Sequence, residues 1–239
     1  MTRSVNRALD ILEVLRDAVH PMTLTELATT TGMDKATTMR ITRDLLERGY
    51  VEQNADARTY SLGASILELA DTLWAKDSVT QNTLRYLEDL RDKTLQTVSL
   101  CSRADASYLV SIELPSVQPI KFSQGVGTSR PLVDDAAGLA MLAFVRGGDP
   151  VAAGVERKTL EKIRDDGYAY SATRSSPRVA SVAAPVRVTG HPVDSAVSLS
   201  WIVEADDSEP LARRRYSAQV MGCAQRISRL RQGQGRWRE

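Results

Sequence analysis

The chain has 239 residues, 42% hydrophobic and 26% charged, so it has material for one large folded domain or two of ordinary size. A formal charge of +1 argues against coating nucleic acid by bulk charge, so any such binding must be local. No run of eighteen apolar residues occurs and MTRSVNRALD lacks a signal peptide's hydrophobic region, so no membrane span and a cytoplasmic location are expected.

Val5, Ala8, Leu9, Leu12 and Leu15 recur at helical spacing, which predicts a helix over Ser4–Ala18 that stops at His20-Pro21. Thr23 and Glu26 have the spacing of a capping box, so a short helix should run to about Thr31. Gly32 suits the positive φ of a helix end, and Asp34 can cap a second helix, Lys35–Arg48, with Ile41 and Leu45 inward. Tyr50–Gln53 and Arg58–Leu62 alternate as strands around an Asn54–Ala57 turn. Helix, helix, turn, helix, hairpin is the order of a winged helix-turn-helix, whose helix after the turn enters the major groove.

Lys35, Thr37, Thr38, Arg40 and Arg43 belong to that helix, and Arg58 lies on the hairpin. Arginine grips phosphate or guanine with two parallel bonds, while a threonine offers a hydroxyl and a methyl. A solvated helix face in a protein-docking module would carry similar residues. Residues 1–76 hold nine basic and eleven acidic side chains, so charge does not separate the two readings.

Ala64–Lys76 carries Ile66, Leu67, Ala70, Leu73 and Trp74 on one stripe, more apolar surface than a lone linker should leave wet. It should pack on the wing domain, on its copy in a second chain, or on both. Ser78–Lys93 reads as another helix, placing a boundary near Asp77. Strands are expected at TVSLCSR, SYLVSIEL and PIKFSQG, then helices at Asp134–Arg146 and Thr159–Asp166. RVASVAAPVRV and VDSAVSLSWIV should be strands, and Leu211–Gln232 a closing helix. This order fits an antiparallel sheet with helices segregated beside it.

R-A-L-D-I-L at Arg7–Leu12, L-T-E-L-A at Leu24–Ala28, G-M-D-K-A-T-T-M-R at Gly32–Arg40 and E-R-G-Y-V at Glu47–Val51 resemble the IclR family of bacterial transcription regulators. G-V-G-T-S-R-P-L at Gly125–Leu132, D-G-Y-A-Y-S at Asp166–Ser171 and A-V-S-L-S at Ala196–Ser200 extend the resemblance into the second half. It implies an α+β chain in three parts. Residues 1–63 would be a winged helix-turn-helix DNA-binding domain and 64–77 a linker helix making dimer contacts. Residues 78–239 would be a GAF-like α/β effector-binding domain with an antiparallel sheet. It also implies double-stranded operator DNA as partner, a homodimer or dimer of dimers, and a small carboxylate effector.

Two features could hold that carboxylate. Ala136, Ala137 and Gly138 open a helix, where backbone amides are unpaired and small side chains permit close approach. Ser198 and Ser200 share one side of a strand with Ala196. The resemblance assigns effector contacts to the amides at Ala136 and Ala137 and the hydroxyls of Ser198 and Ser200, with Phe122 as an apolar wall. Where relatives carry an acidic pair after G-Y-A-x-S, this chain has Ala172-Thr173-Arg174, and the loop TRSSPR holds two arginines. Arg174 and Arg130 are therefore either cations beside an anion site or plain surface residues. Together with Phe122, the basic loop favours an aromatic carboxylate over a short keto acid. Relatives also carry aliphatic residues where Thr38 and Thr42 stand.

An acid-metabolising enzyme with a helical interaction domain is the alternative, and the residues give it little. Gly125-Val126-Gly127 lacks a dinucleotide fingerprint's third glycine, and His191 stands in a turn without a nearby nucleophile. Cys101, Cys223 and the two histidines show no metal-ligand spacing, so buried free thiols and neither metal nor cofactor are expected.

Overall fold

Helix α1 (Arg3–Asp17) lays Ile11 and Leu15 against Leu27 of α2 (Leu24–Thr31) and Ile41 and Leu45 of α3 (Lys35–Glu47). Val51 closes this small core from β2 (Val51–Asn54), the first strand of a hairpin with β3 (Thr59–Leu62). These elements lie in the first of two units, Met1–Asp77 and Ser78–Glu239, of a computed structural model that describes residues 3–75, 78–145, 154–174, 176–203 and 209–235. The expected ends at Lys76, Asp77 and Arg146 and the loop residue Ser175 lie outside the described residues, as do the side chains of Leu73 and Trp74.

The signals in the first unit are local. Thr23 N–H donates to Glu26 Oε2 at 2.7 Å and the Glu26 amide returns a bond to Thr23 Oγ1 at 3.3 Å, forming the capping box. Gly32 has φ +66°, a conformation that costs other residues more, and turns the chain from α2 into α3. One strand was not expected: β1 (Met22–Thr23) adds to the hairpin, giving the order β1-β3-β2. Helix α4 (Ser65–Ala75) follows.

The second unit begins with α5 (Ser78–Thr94), β4 (Thr97–Ala104), β5 (Ser107–Leu114), β6 (Ser129–Pro131) and α6 (Ala136–Leu142). It continues through α7 (Arg157–Asp166), β7 (Ala169–Ala172), β8 (Val179–Val186), β9 (Ser195–Ile202) and α8 (Glu209–Gly235). Six antiparallel strands form one sheet in the order β6-β5-β4-β9-β8-β7. Helices α5 and α8 pack on each other through Arg226–Asp89 at 2.9 Å and cover one face, where Trp201 meets Tyr216 edge-on at 5.0 Å. Helix α6 covers part of the other face through Ala136, Ala137, Ala140 and Met141, packed on Cys101, Val110, Ala183 and Ala196. None of the described helices is long and apolar enough to cross a membrane.

PIKFSQG is not a strand. Residues 115–128 form a connection, and the place beside β5 is taken by β6 instead. Side-chain bonds hold the connection where a ladder was expected: Thr97 Oγ1 donates to Phe122 O at 2.5 Å, and Glu113 accepts the amides of Gln124 and Gly125, each at 3.0 Å.

Candidate DNA-reading helix and effector face

Helix α3 is anchored at its start. Asp34 accepts the Thr37 amide at 2.8 Å, and bonds from the Thr37 side chain and backbone hold its carboxyl below the usual aspartate range. The buried side of α3 is formed by Thr38, Ile41, Thr42 and Leu45. Lys35, Ala36, Met39, Arg40, Arg43, Asp44 and Glu47 are exposed. Lys35, Arg40 and Arg43 are thus free to meet a ligand, and Thr37 is half-buried over the cap. Thr38 is a correction: it is fully buried and its hydroxyl donates to Asp34 O at 2.9 Å, so it supports the helix and cannot touch a base. Thr42 is buried beside it, and its hydroxyl has no hydrogen-bond partner among the described residues. Arg58 is exposed in the tip of the hairpin with φ +53°, in the turn and not on the strand.

In the second unit, strand register builds the site. Antiparallel partners share a face, so residues far apart in sequence line up in rows. One row runs Ser171, Ser181, Ser200, Thr97; the next runs Ala169, Ala183, Ser198, Ser99, Glu113. A third, with Ala196, Cys101 and Val110, lies beneath α6. The hydroxyl-rich rows form a polar floor on an otherwise aliphatic face. Phe122 is half-buried at the Thr97 end, where its carbonyl accepts the Thr97 hydroxyl. Arg174 is exposed two residues beyond β7, in the loop that leaves the sheet at its hydroxyl-rich end.

Most of these hydroxyls are committed. Ser181 and Ser200 bond each other at 2.8 Å, Ser171 accepts the Ala136 amide at 2.9 Å, and Ser99 reaches Glu113 at 3.4 Å. Ser198 is 6% exposed and makes no hydrogen bond among the described residues. On the hydroxyl-rich rows Ser198 is thus the serine whose hydroxyl is not taken up by another described side chain.

The amides at the start of α6 are not open donors. Asp135 Oδ1 accepts those of Ala137 and Gly138 at 3.0 and 3.3 Å, and Ser171 takes that of Ala136. A ligand carboxylate at Ala136 or Ala137 would have to displace these partners. Gly138 answers a packing need, since a Cβ there would stand 2.1 Å from Leu132 O. Arg130 stands 3.7 Å from Asp134 and 3.6 Å from Asp135, close enough for charge pairing, while its buried Nε has no hydrogen-bond partner among the described residues. Tyr108 donates to Asp135 as well, and burial, then the Asp135 charge, pushes its phenol upward. Both cysteines are buried and free, and burial pushes the Cys223 thiol up to about 12. Among the described residues no group of three or more His, Cys, Asp or Glu could hold a metal ion.

Thr97, Ser99, Glu113, Ser171 and Ser181 were not apparent from the sequence as parts of this floor. The alternation in TVSLC and VASVA marks each strand, but only the register sets their hydroxyls beside Ser198 and Ser200.

A capped helix beside a hairpin, joined in sequence to a separate unit built on an antiparallel sheet with a hydroxyl-lined face, is the architecture of a helix-turn-helix DNA-binding protein with a second domain. Residues 4–55 match the IclR helix-turn-helix domain, and residues 156–229 match the bacterial transcriptional regulator IclR C-terminal domain. The HTH-type transcriptional regulator XynR of Escherichia coli (strain K12) is 25% identical over 93% of this chain and 95% of its own. The crystal structure of an IclR transcriptional regulator from Alicyclobacillus acidocaldarius shares the fold, with TM-score 0.81 and 24% identity over 96% of this chain and 99% of that one. An IclR homologue from Microbacterium hydrocarbonoxydans, complexed with 4-hydroxybenzoate, shares it with TM-score 0.69 and 19% identity over 93% and 99%. The chain belongs to the IclR family and is a ligand-responsive, DNA-binding transcription regulator. The enzyme alternative falls with that assignment, because the family's members are regulators.

Proposed function

We propose that the protein binds operator DNA as a dimer, or a dimer of dimers, and that a small organic acid on the serine floor changes its hold on that DNA. Lys35, Arg40 and Arg43 of α3 would meet the major groove, with Arg58 and Thr37 on neighbouring phosphates. The dimer reading is supported by Val5, Leu9, Leu67 and Leu69, all exposed on α1 and α4. Val5, Leu9 and Leu69 border a groove of about 770 Å³ with Ile66 and Arg40, an apolar surface that a second copy could cover. Work on operator DNA places the protein in the cytoplasm.

The observation that carries the effector reading is the Ser198 hydroxyl, which lies between Ser99 and Ala183 and has no hydrogen-bond partner among the described residues. Ser198 would donate to the acid, Ser200 would give a second contact on leaving Ser181, and Phe122 would cover an apolar ring. An aromatic carboxylate fits this combination better than a short keto acid, and the fold relative that holds 4-hydroxybenzoate supports the same class. Arg174 would balance the charge at the hydroxyl-rich end, and Arg130 would do so once Asp135 moves off Ala137 and Gly138.

The test is the melting temperature of the purified protein against benzoate-type and short keto acids. An acid at a hundred times its dissociation constant adds roughly 2.7 kcal/mol to the native state. A shift with an aromatic acid that is lost in Ser198→Ala supports the reading. A shift unchanged in that variant moves the site elsewhere, and a blank across the panel removes the acid.

A further inference from the structure

Met39 is 57% exposed in the middle of α3 and takes no part in the core beneath that helix. Ala36, three residues earlier on the same stripe, is exposed too. Around them stand Lys35, Arg40 and Arg43, whereas the following turn brings the carboxylates of Asp44 and Glu47. The solvent side of α3 is therefore polar in two senses. Its first half is basic with an apolar centre, and its last turn is acidic.

Phosphates repel the acidic end, so the first half of α3 is the part that can lie against base edges. In the major groove the single apolar feature a base pair presents is the thymine 5-methyl group. We infer that Met39 and Ala36 read thymine methyl groups in each operator half-site, beside the phosphates or guanines held by Lys35, Arg40 and Arg43. The inference rests on α3 being the DNA-reading helix and adds the chemistry of two residues that carry no hydrogen-bonding group. Side chains three apart on a helix sit about 5–6 Å from each other. Base pairs rise about 3.4 Å, so the two thymines fall within one or two steps of each other.

The experiment selects binding sites for the full-length protein from randomised duplex DNA, then replaces each thymine singly by deoxyuridine. That exchange removes one methyl group and leaves base pairing intact. At one or two positions per half-site the wild type should lose about fourfold in affinity, the size of one buried methyl. Met39→Ala should be insensitive at its own position while keeping the penalty at the other, with an unchanged melting temperature. Met39→Leu, which keeps the apolar contact, should retain both penalties. Deoxyuridine tolerated throughout the half-site, or a penalty identical in wild type and Met39→Ala, overturns the inference while leaving α3 as the reading helix. Failure to select any sequence overturns both together.

Discussion

The hydroxyl oxygens of Ser181 and Ser200 lie 2.8 Å apart across neighbouring strands, so Ser200 already has a partner, whereas Ser198 two residues earlier has none among the described residues. The two serines that alternation places on one face are thus unequal. Ser198→Ala should weaken effector binding about threefold to tenfold, the range of one net hydrogen bond. Ser200→Ala should cost less, because ligand contact there must first break an internal bond. Calorimetric titration of both variants with the same acid checks the order, and equal losses would contradict it.

Thr42 gives a stability prediction in the DNA-reading unit. Its buried hydroxyl has no hydrogen-bond partner among the described residues, and valine has nearly the same shape. Thr42→Val should stabilise the protein by about 1 kcal/mol, raising the melting temperature by roughly 2–4 °C. Thr38→Val should be close to neutral, since Asp34 O keeps its bond from the Thr38 amide at 3.0 Å. A lower melting temperature for Thr42→Val would mean that the hydroxyl has a partner after all.

Gly138 is a prediction of the opposite sign. A Cβ would lie 2.1 Å from the Leu132 carbonyl oxygen, where backbone must move to make room. Gly138→Ala should cost about 1–3 kcal/mol, as overpacking does, and lower the urea midpoint. An unchanged midpoint would show that the α6 start yields easily.

Acid should loosen the starts of α2 and α3. Glu26 is held below its ordinary range by bonds from the Thr23 backbone and hydroxyl, and Asp34 by bonds from Thr37. A carboxyl with a lower folded than unfolded pKa adds stability that is complete above the unfolded value. That stability is lost as pH falls through the folded one. The stability gap between wild type and Asp34→Ala should therefore be full at neutral pH and shrink on acidification below the ordinary aspartate range. Acid titrations of both proteins by circular dichroism test it; a gap that widens in acid has the wrong sign.

These residues also show what a sequence discloses. Thr23–Glu26, Gly32 and Asp34 act over three or four positions, so their roles could be read before any fold was known. Thr38 misled because a hydroxyl marks a residue as polar, while its place relative to Ile41 and Leu45 puts it in the core. Ala136–Gly138 could be read as anion donors at a helix start, but only coordinates show that Asp135 caps that helix and occupies two of them. Glu113 stayed hidden because its work, holding Gln124 and Gly125, joins parts of the chain that neither periodicity nor spacing connects.

The most direct test of the regulatory account is operator affinity, by fluorescence anisotropy of the full-length protein, with and without a saturating concentration of whichever acid in the panel raises the melting temperature. The account predicts that the acid changes operator affinity, and that operator changes affinity for the acid by the same factor. Superimposable DNA titrations with and without the acid, under conditions where calorimetry shows it bound, would contradict the coupling between sensing and DNA binding.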